Sequence, residues 1–424
     1  MKTMTIKWLI LVVGLMLVSS PPAMADSTPP ALQSFIGVCS QITRETSAFN
    51  PYAQRDTLLR FMNLGSISST RTGFKWRLIH PDPDTWDWQI TDSVVTAAKA
   101  KNIDVLALVG SMPRLAFDAP EAYLNLWLEF VDSLSMRYKD DISEWELWNE
   151  PNSRAGKYWP KDGSPELFNS YIRGAALIIR KNQPQAKILL GGLTTGKKSE
   201  PFKFWRSLFE LNILEVVDGV AYHPYQYPDN DLVEFNERLT QLIAEFSPDK
   251  KELWITEFGI PAFHSKNQAK FSYEGQRTRI AKTLLTHWAL GGSKFYIYNL
   301  WDKGPIDPGV NPKELSSKKQ AYFGVINYDM SPKSSFIAVK WLADILATIE
   351  PVSIISDQDG TLITARDIAS GEPVFFSWGS KQHKDVMEKG KKLRSMQTYI
   401  SQQETKKVRN SELNDLDIEI IFWQ

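Results

Sequence analysis

Cysteine is nearly missing from this chain: its 424 residues include one, Cys39. An internal disulfide is excluded, so the core must be large enough to hold without staples. Long apolar runs are missing as well, apart from WLILVVGLMLV between Trp8 and Val18. That run is short for a bilayer span. With MKTMTIK before it and the small residues Ala23 and Ala25 after it, residues 1–25 read as a secretory leader cut after Ala25. The mature chain is then expected to start at Asp26, to carry no membrane span, and to be exported to the periplasm or beyond the cell. An excess of either charge is also absent: 49 basic residues meet 49 acidic ones. No basic patch suggests nucleic acid or an anionic membrane as a partner. His80 and the acidic residues of HPDPD lack metal-ligand spacing, and neither GxGxxG nor a phosphate loop occurs, so no cofactor and no metal are expected.

Tryptophan, by contrast, is plentiful at 15 residues. Aromatic rings stack on flat apolar faces, those of sugars included, although they serve equally well in a core. Eight short apolar runs read as strands, from SFIGVCS at Ser34 through SISST at Ser66 and SEWELWN at Ser143 to KFYIYNLW at Lys294. Segments of helical period separate them, such as ELFNSYIRGAALIIR from Glu166, several opening on proline as at Pro165 and Pro201. Strict alternation of eight strands with helices, closed by SSFIAVKWLADILA from Ser334, predicts a (β/α)8 TIM barrel over 26–347. Beyond it the texture becomes alternating, as in VSIISDQDGTLITARDI and EPVFFSWGS. Residues 348–424 therefore read as a small C-terminal all-β domain, sandwich-like, with KQHKDVMEKGKKLRSMQ as an exposed loop.

In such a barrel the chemistry sits where strands end. Strand four ends WELWNEPN, giving Asn149 and Glu150, and strand seven ends LWITEFGIP, giving Glu257. A carboxylate buried alone is costly, and two of them at one barrel mouth supply a proton donor and a nucleophile for glycosidic bond cleavage.

With WNEP and ITEFG joined by TRTGFKW, AYHPY and YNLWD, the barrel resembles the clan A retaining glycoside hydrolases, most like family 39 and its exopolysaccharide-associated bacterial members, or family 5. The resemblance implies that Glu150 is the acid/base, Glu257 the nucleophile, and Asn149 a partner of the sugar 2-hydroxyl. It implies that Arg71, at the end of strand two, keeps the nucleophile ionised, and that His223 and Tyr225 support the site from strand six. Trp301 would floor the subsite of the cleaved sugar. From loop position alone, Tyr158, Trp159 and Tyr227 are candidates for further sugar subsites, while Trp86 and Trp88 read as structural. Strand three ends VGSMPRLAF where the family often reads TPAWA, so Arg114 stands in place of an aromatic and hints at an acidic sugar.

The reading is a retaining hydrolase acting within a β-linked polysaccharide or oligosaccharide. A transglycosylase with the same covalent intermediate, and a non-catalytic polysaccharide-binding barrel, are the alternatives. Sugar identity and oligomeric state are left open.

Overall fold

The computed structural model describes residues 35–379 apart from 47–48, 154–158, 161–162, 197–198, 228, 264–270, 306–318 and 358–359, together with 393–395 and 419–423. The expected leader and Tyr158 lie outside the described residues. Among those described, no helix is long and apolar enough to cross a membrane.

Eight parallel strands close into a barrel: β1 (Ile36–Cys39), β2 (Ser69–Lys75), β3 (Asp104–Gly110), β4 (Glu144–Asn149), β5 (Lys187–Thr194), β6 (Gly219–His223), β7 (Glu252–Phe258) and β8 (Lys294–Ile297). Closure is made by β1, which pairs with β2 on one side and β8 on the other. The crossovers are α1 (Arg55–Leu64), α2 (Gln89–Lys99), α3 (Leu124–Arg137), α4 (Pro165–Asn182), α5 (Pro201–Glu210), α6 (Asp229–Ala244) and α7 (Tyr273–Ala289), and α8 (Ser334–Leu346) follows β8. Two starts show how local sequence sets them. Pro165 opens α4 behind Ser164, whose hydroxyl accepts from Leu167 N at 3.1 Å, and Ser272 does the same for Gly275 N at 3.0 Å in α7.

Between strands and helices lies one continuous apolar layer in which Trp76, Trp127, Trp145, Trp148 and Trp205 are fully buried. Burying each large side chain contributes about 1.5–3 kcal/mol, which explains how the fold does without a disulfide. A second, separate cluster joins Leu106, Leu189, Ala221, Trp254 and Tyr296 with Cys39, drawn from six strands and not merged with the helix-facing layer. It fills the barrel interior, the packed plug expected of this architecture.

Two strand boundaries differ from the sequence reading. The second strand starts at Ser69 and runs to Lys75, which places Arg71 inside it, opposite Cys39 and Leu106, rather than at its end. Gly73 weakens the strand signal there, and neighbour pairing overrides it. The eighth strand stops at Ile297, before a cis link between Tyr298 and Asn299.

The chain then enters a second sheet of β9 (Ile349–Asp357), β10 (Gly360–Asp367), β11 (Pro373–Gly379), β12 (Leu393–Ser395) and β13 (Glu419–Trp423), in the order β12-β13-β11-β10-β9. Among the described residues this is one antiparallel sheet, with no second sheet facing it. The run expected as an exposed loop lies largely outside the described residues, but its Leu393–Ser395 forms β12. One face, with Ile363, Val374, Phe376 and Trp378, is continuous with the barrel core. Phe376 meets Trp288 of α7 edge-on, ring centres 6.2 Å apart.

Candidate active site

At the C-terminal end of the barrel opens a cavity of about 930 Å³ lined by Arg71, Asn149, Glu150, Tyr225 and Glu257 among others. Below it, Arg71 is the organising cation. Its Nε donates to Glu146 Oε2 at 2.5 Å and its Nη2 to Glu146 Oε1 at 3.1 Å, a bidentate pair with both side chains buried. The same guanidinium reaches Glu257 Oε1 at 2.5 Å and Asn149 Oδ1 at 2.8 Å. Tyr225 donates to the other oxygen of Glu257 at 3.0 Å. Burial pushes the Glu257 carboxyl up, but the charges of His223 and Arg71, with the hydrogen bonds from Arg71 and Tyr225, outweigh it and hold the group below the usual carboxylate range. The phenol of Tyr225 is pushed far up by burial and by Glu257, so it stays a donor.

Glu150 is held differently. His223 Nδ1 lies 2.9 Å from Glu150 Oε1, and His223 Nε2 lies 3.1 Å from Thr256 Oγ1. Thr256 spends its one hydroxyl proton on Glu146 Oε1, 2.8 Å away, so it can only accept from His223. Nε2 therefore carries a proton, and the short contact between Nδ1 and Glu150 must hold another. Glu150 and His223 share one transferable proton. Because Asn149 accepts from Arg71 through its amide oxygen, its NH₂ is left to donate to a ligand.

The backbone here is shaped to deliver these groups. Trp148 has φ of 81° and Glu150 φ of 45°, both in the left-handed region. Trp148 is pinned edge-on by Trp127, Trp159, Phe168 and Tyr171, and Glu150 N donates to Gly192 O at 2.8 Å. The two glycines of KILLGG make room for this: a Cβ at Gly191 would stand 2.1 Å from Trp148 O, and one at Gly192 would stand 2.2 Å from His223 Nε2.

One carboxylate oxygen each from Glu150 and Glu257, with a ring nitrogen of His223, lie within 4.8 Å of one another. Such a trio is a possible cation cluster on distance alone. Arg71, already bonded to Glu257, opposes that reading, since a fixed guanidinium repels a metal ion.

Six of the residues singled out in the sequence come together here: Arg71, Asn149, Glu150, His223, Tyr225 and Glu257. Others do not. Trp301 is buried against Phe49 and Tyr328 and does not line the cavity, because β8 ends early and Tyr298 occupies the mouth instead. Trp159 is also buried, in the aromatic cluster behind Trp148. Neither Tyr227, packed on Phe235, nor the exposed Arg114 lines the cavity. Glu146 and Thr256 were missed. The alternation E-W-E-L gives a signal for Glu146, since Trp145 and Leu147 face the helices and their neighbours must face the barrel interior.

Compared by sequence, the chain matches no family model and no curated protein. Compared by structure, it superimposes on a family 39 glycoside hydrolase from Bacteroides cellulosilyticus WH2 with a TM-score of 0.64 at 16% identity, over 95% of this chain and 81% of that one. The chain has the fold of glycoside hydrolases. GH5_18 from Streptomyces cattleya gives 0.58 at 14% identity over 76% and 82% of the two chains. Xylanase 10B from Thermotoga petrophila gives 0.54 at 17% over 77% and 99%. The resemblance to families 39 and 5 thus holds at the level of fold, and the coverage of the family 39 structure extends past the barrel.

Proposed function

We propose that the protein is a retaining glycoside hydrolase that cleaves β-glycosidic bonds within a polysaccharide or oligosaccharide by double displacement. The observation that carries this is the pair Glu150 and Glu257, with oxygens within 4.8 Å across the cavity. Retaining enzymes place their carboxyls about 5–5.5 Å apart, inverting ones about 6.5–9.5 Å. Glu257, ionised and held by Arg71 and Tyr225, attacks the anomeric carbon. Glu150 gives the proton it shares with His223 to the leaving oxygen, then takes one from the water that releases the product. Asn149 donates to the sugar 2-hydroxyl.

Reading residues 1–25 as a cleaved leader places this activity outside the cytoplasm, and an intact mass starting at Asp26 is the expected result for exported protein. Activity is tested by reducing-end release from a panel of β-linked polysaccharides. Release by wild type and none by Glu257→Ala is expected. Release by both would defeat the proposal, and products longer than the substrate in the presence of acceptor sugars would identify a transglycosylase.

A further inference from the structure

Among the described residues, five cations line the cavity, Arg44, Arg71, Lys75, Lys303 and Lys319, against two carboxylates, Glu150 and Glu257. The whole chain carries no net charge, so this excess is local. Arg71 is committed to Glu146, Glu257 and Asn149. The others form an arc on one side of the mouth, Arg44 following β1, Lys75 ending β2, and Lys303 and Lys319 following β8, strands that are neighbours in the barrel.

Lys75 is the most telling of these. Ser69, Arg71, Gly73 and Lys75 alternate along β2, and Arg71 and Ser69 point into the barrel, where Ser69 meets Tyr296 at 2.7 Å. Lys75 therefore stands on the same inward row as Arg71, about 13 Å further up the strand at about 3.3 Å per residue. Gly73 between them gives the Lys75 stem room to lie back along the wall, since a Cβ there would stand 3.4 Å from Lys75 Cε. Lys75 is half-buried and forms no hydrogen bond or ion pair among the described residues. Among the described residues, the Arg44 guanidinium meets only the Gln41 amide, at 3.4 Å, and the ring of Phe49. Burial, then Arg77 and Arg44, bring the Lys75 ammonium down to about 8, so the free protein bears a cost that an anion would remove. A neutral glycan offers hydroxyl acceptors but no opposite charge to meet it.

We propose that the glycan is anionic, bearing carboxylate or sulfate groups, and that Lys75 and Arg44, joined by Lys303 and Lys319, bind those groups on sugars flanking the cleaved bond. This rests on the glycosidase reading and adds the substrate class to it. It also moves the acid-recognising role from Arg114 to the β8-β1-β2 side.

The test measures binding to the Glu257→Ala protein, which does not consume the polymer, with three probes. These are hyaluronan, carrying carboxylates only, κ-carrageenan, carrying sulfates only, and carboxyl-reduced hyaluronan, which is neutral. Binding is expected to at least one charged polymer and not to the reduced one, and the preferred polymer tells carboxylate from sulfate. Lys75→Met is expected to weaken it about tenfold or more, the loss typical of one charge-assisted hydrogen bond. Raising salt from about 50 to about 500 mM should weaken it further. In wild type the same substitution should raise KM on the bound polymer and leave kcat within a few fold. Equal binding of the reduced polymer, no binding of either charged polymer, or no effect of Lys75→Met overturns the proposal. The glycosidase reading fails separately, if wild type releases no reducing ends from a polymer that it binds selectively.

Discussion

Arg71 and Glu146 form a bidentate ion pair at 2.5 and 3.1 Å with side-chain exposures of 3% and 0%. Glu146 is the hub of the site. Through Arg71 it reaches Glu257 and Asn149, and through Thr256 and His223 it reaches Glu150. Gly192 N, at 3.0 Å, completes its acceptor shell. A carboxylate this well satisfied fixes which protons the rest of the network carries.

Removing Glu146 should therefore cost both stability and activity. Glu146→Ala leaves Arg71 buried with two of its hydrogen bonds gone, and breaking such a pair costs about 3–5 kcal/mol. Denaturant titration should show that loss. Glu146→Gln keeps the shape and should fold, with turnover reduced because Arg71 is no longer aimed. Wild-type turnover in Glu146→Gln would show that the hub is structural only.

Tyr225→Phe separates orientation from folding. It removes one donor to Glu257, and a preorganised donor of this kind contributes about 10²–10³ in rate. Thermal stability should change little. The acid limb of kcat/KM reports the ionisation of Glu257, which lies below the ordinary carboxylate range, so wild type should stay active into mild acid and lose activity only as Glu257 takes up its proton. In Tyr225→Phe that limb should move toward higher pH. An unmoved limb would show that Tyr225 does not help to hold Glu257 ionised.

Anion binding by Lys75 has its own pH signature. The protonated amine is the binding form, so affinity for a charged glycan should be level below about 8 and fall as pH rises past it. Arg77, from the turn after β2, and Arg44, from the loop after β1, are the charged groups that act on Lys75. Lys75→Arg should hold its affinity to about pH 10, because the guanidinium keeps its charge. Parallel profiles for the two proteins would assign the fall to another group.

The barrel was legible because its eight strand-and-helix units each carry their own period, and Glu150 and Glu257 were legible because they end strands at the face where barrels do chemistry. The tryptophans were not. Trp301 and Trp159 sit in loop-like sequence that local pattern cannot orient, and burial decided their places. The basic arc was hidden for another reason: Arg44, Lys75, Lys303 and Lys319 lie far apart in sequence, and only barrel closure brings β8, β1 and β2 together. Trp301→Ala should accordingly lower stability by about 3–5 kcal/mol, as large-to-small core changes do, more than it alters KM. A large KM effect without loss of stability would return Trp301 to the substrate.

The two catalytic carboxylates can be told apart chemically. Glu257 makes the bond to the sugar, so Glu257→Ala should be nearly inactive on every substrate. Glu150 matters for the first step only when the leaving group needs a proton, so Glu150→Ala should still release a good leaving group such as a nitrophenol. Its second step stalls for want of a base, and azide, which attacks without one, should restore turnover and yield a glycosyl azide. His223 enters the same series. It shares a proton with Glu150 across 2.9 Å, so His223→Ala should slow poor leaving groups more than good ones, with no azide-dependent product. Proton NMR of the first-formed anomer decides the frame for all of this. Two displacements at one carbon return the original configuration, so a β-linked substrate should give the β-anomer first. The α-anomer appearing first would falsify Glu257 as the nucleophile and make it the base for a single displacement by water.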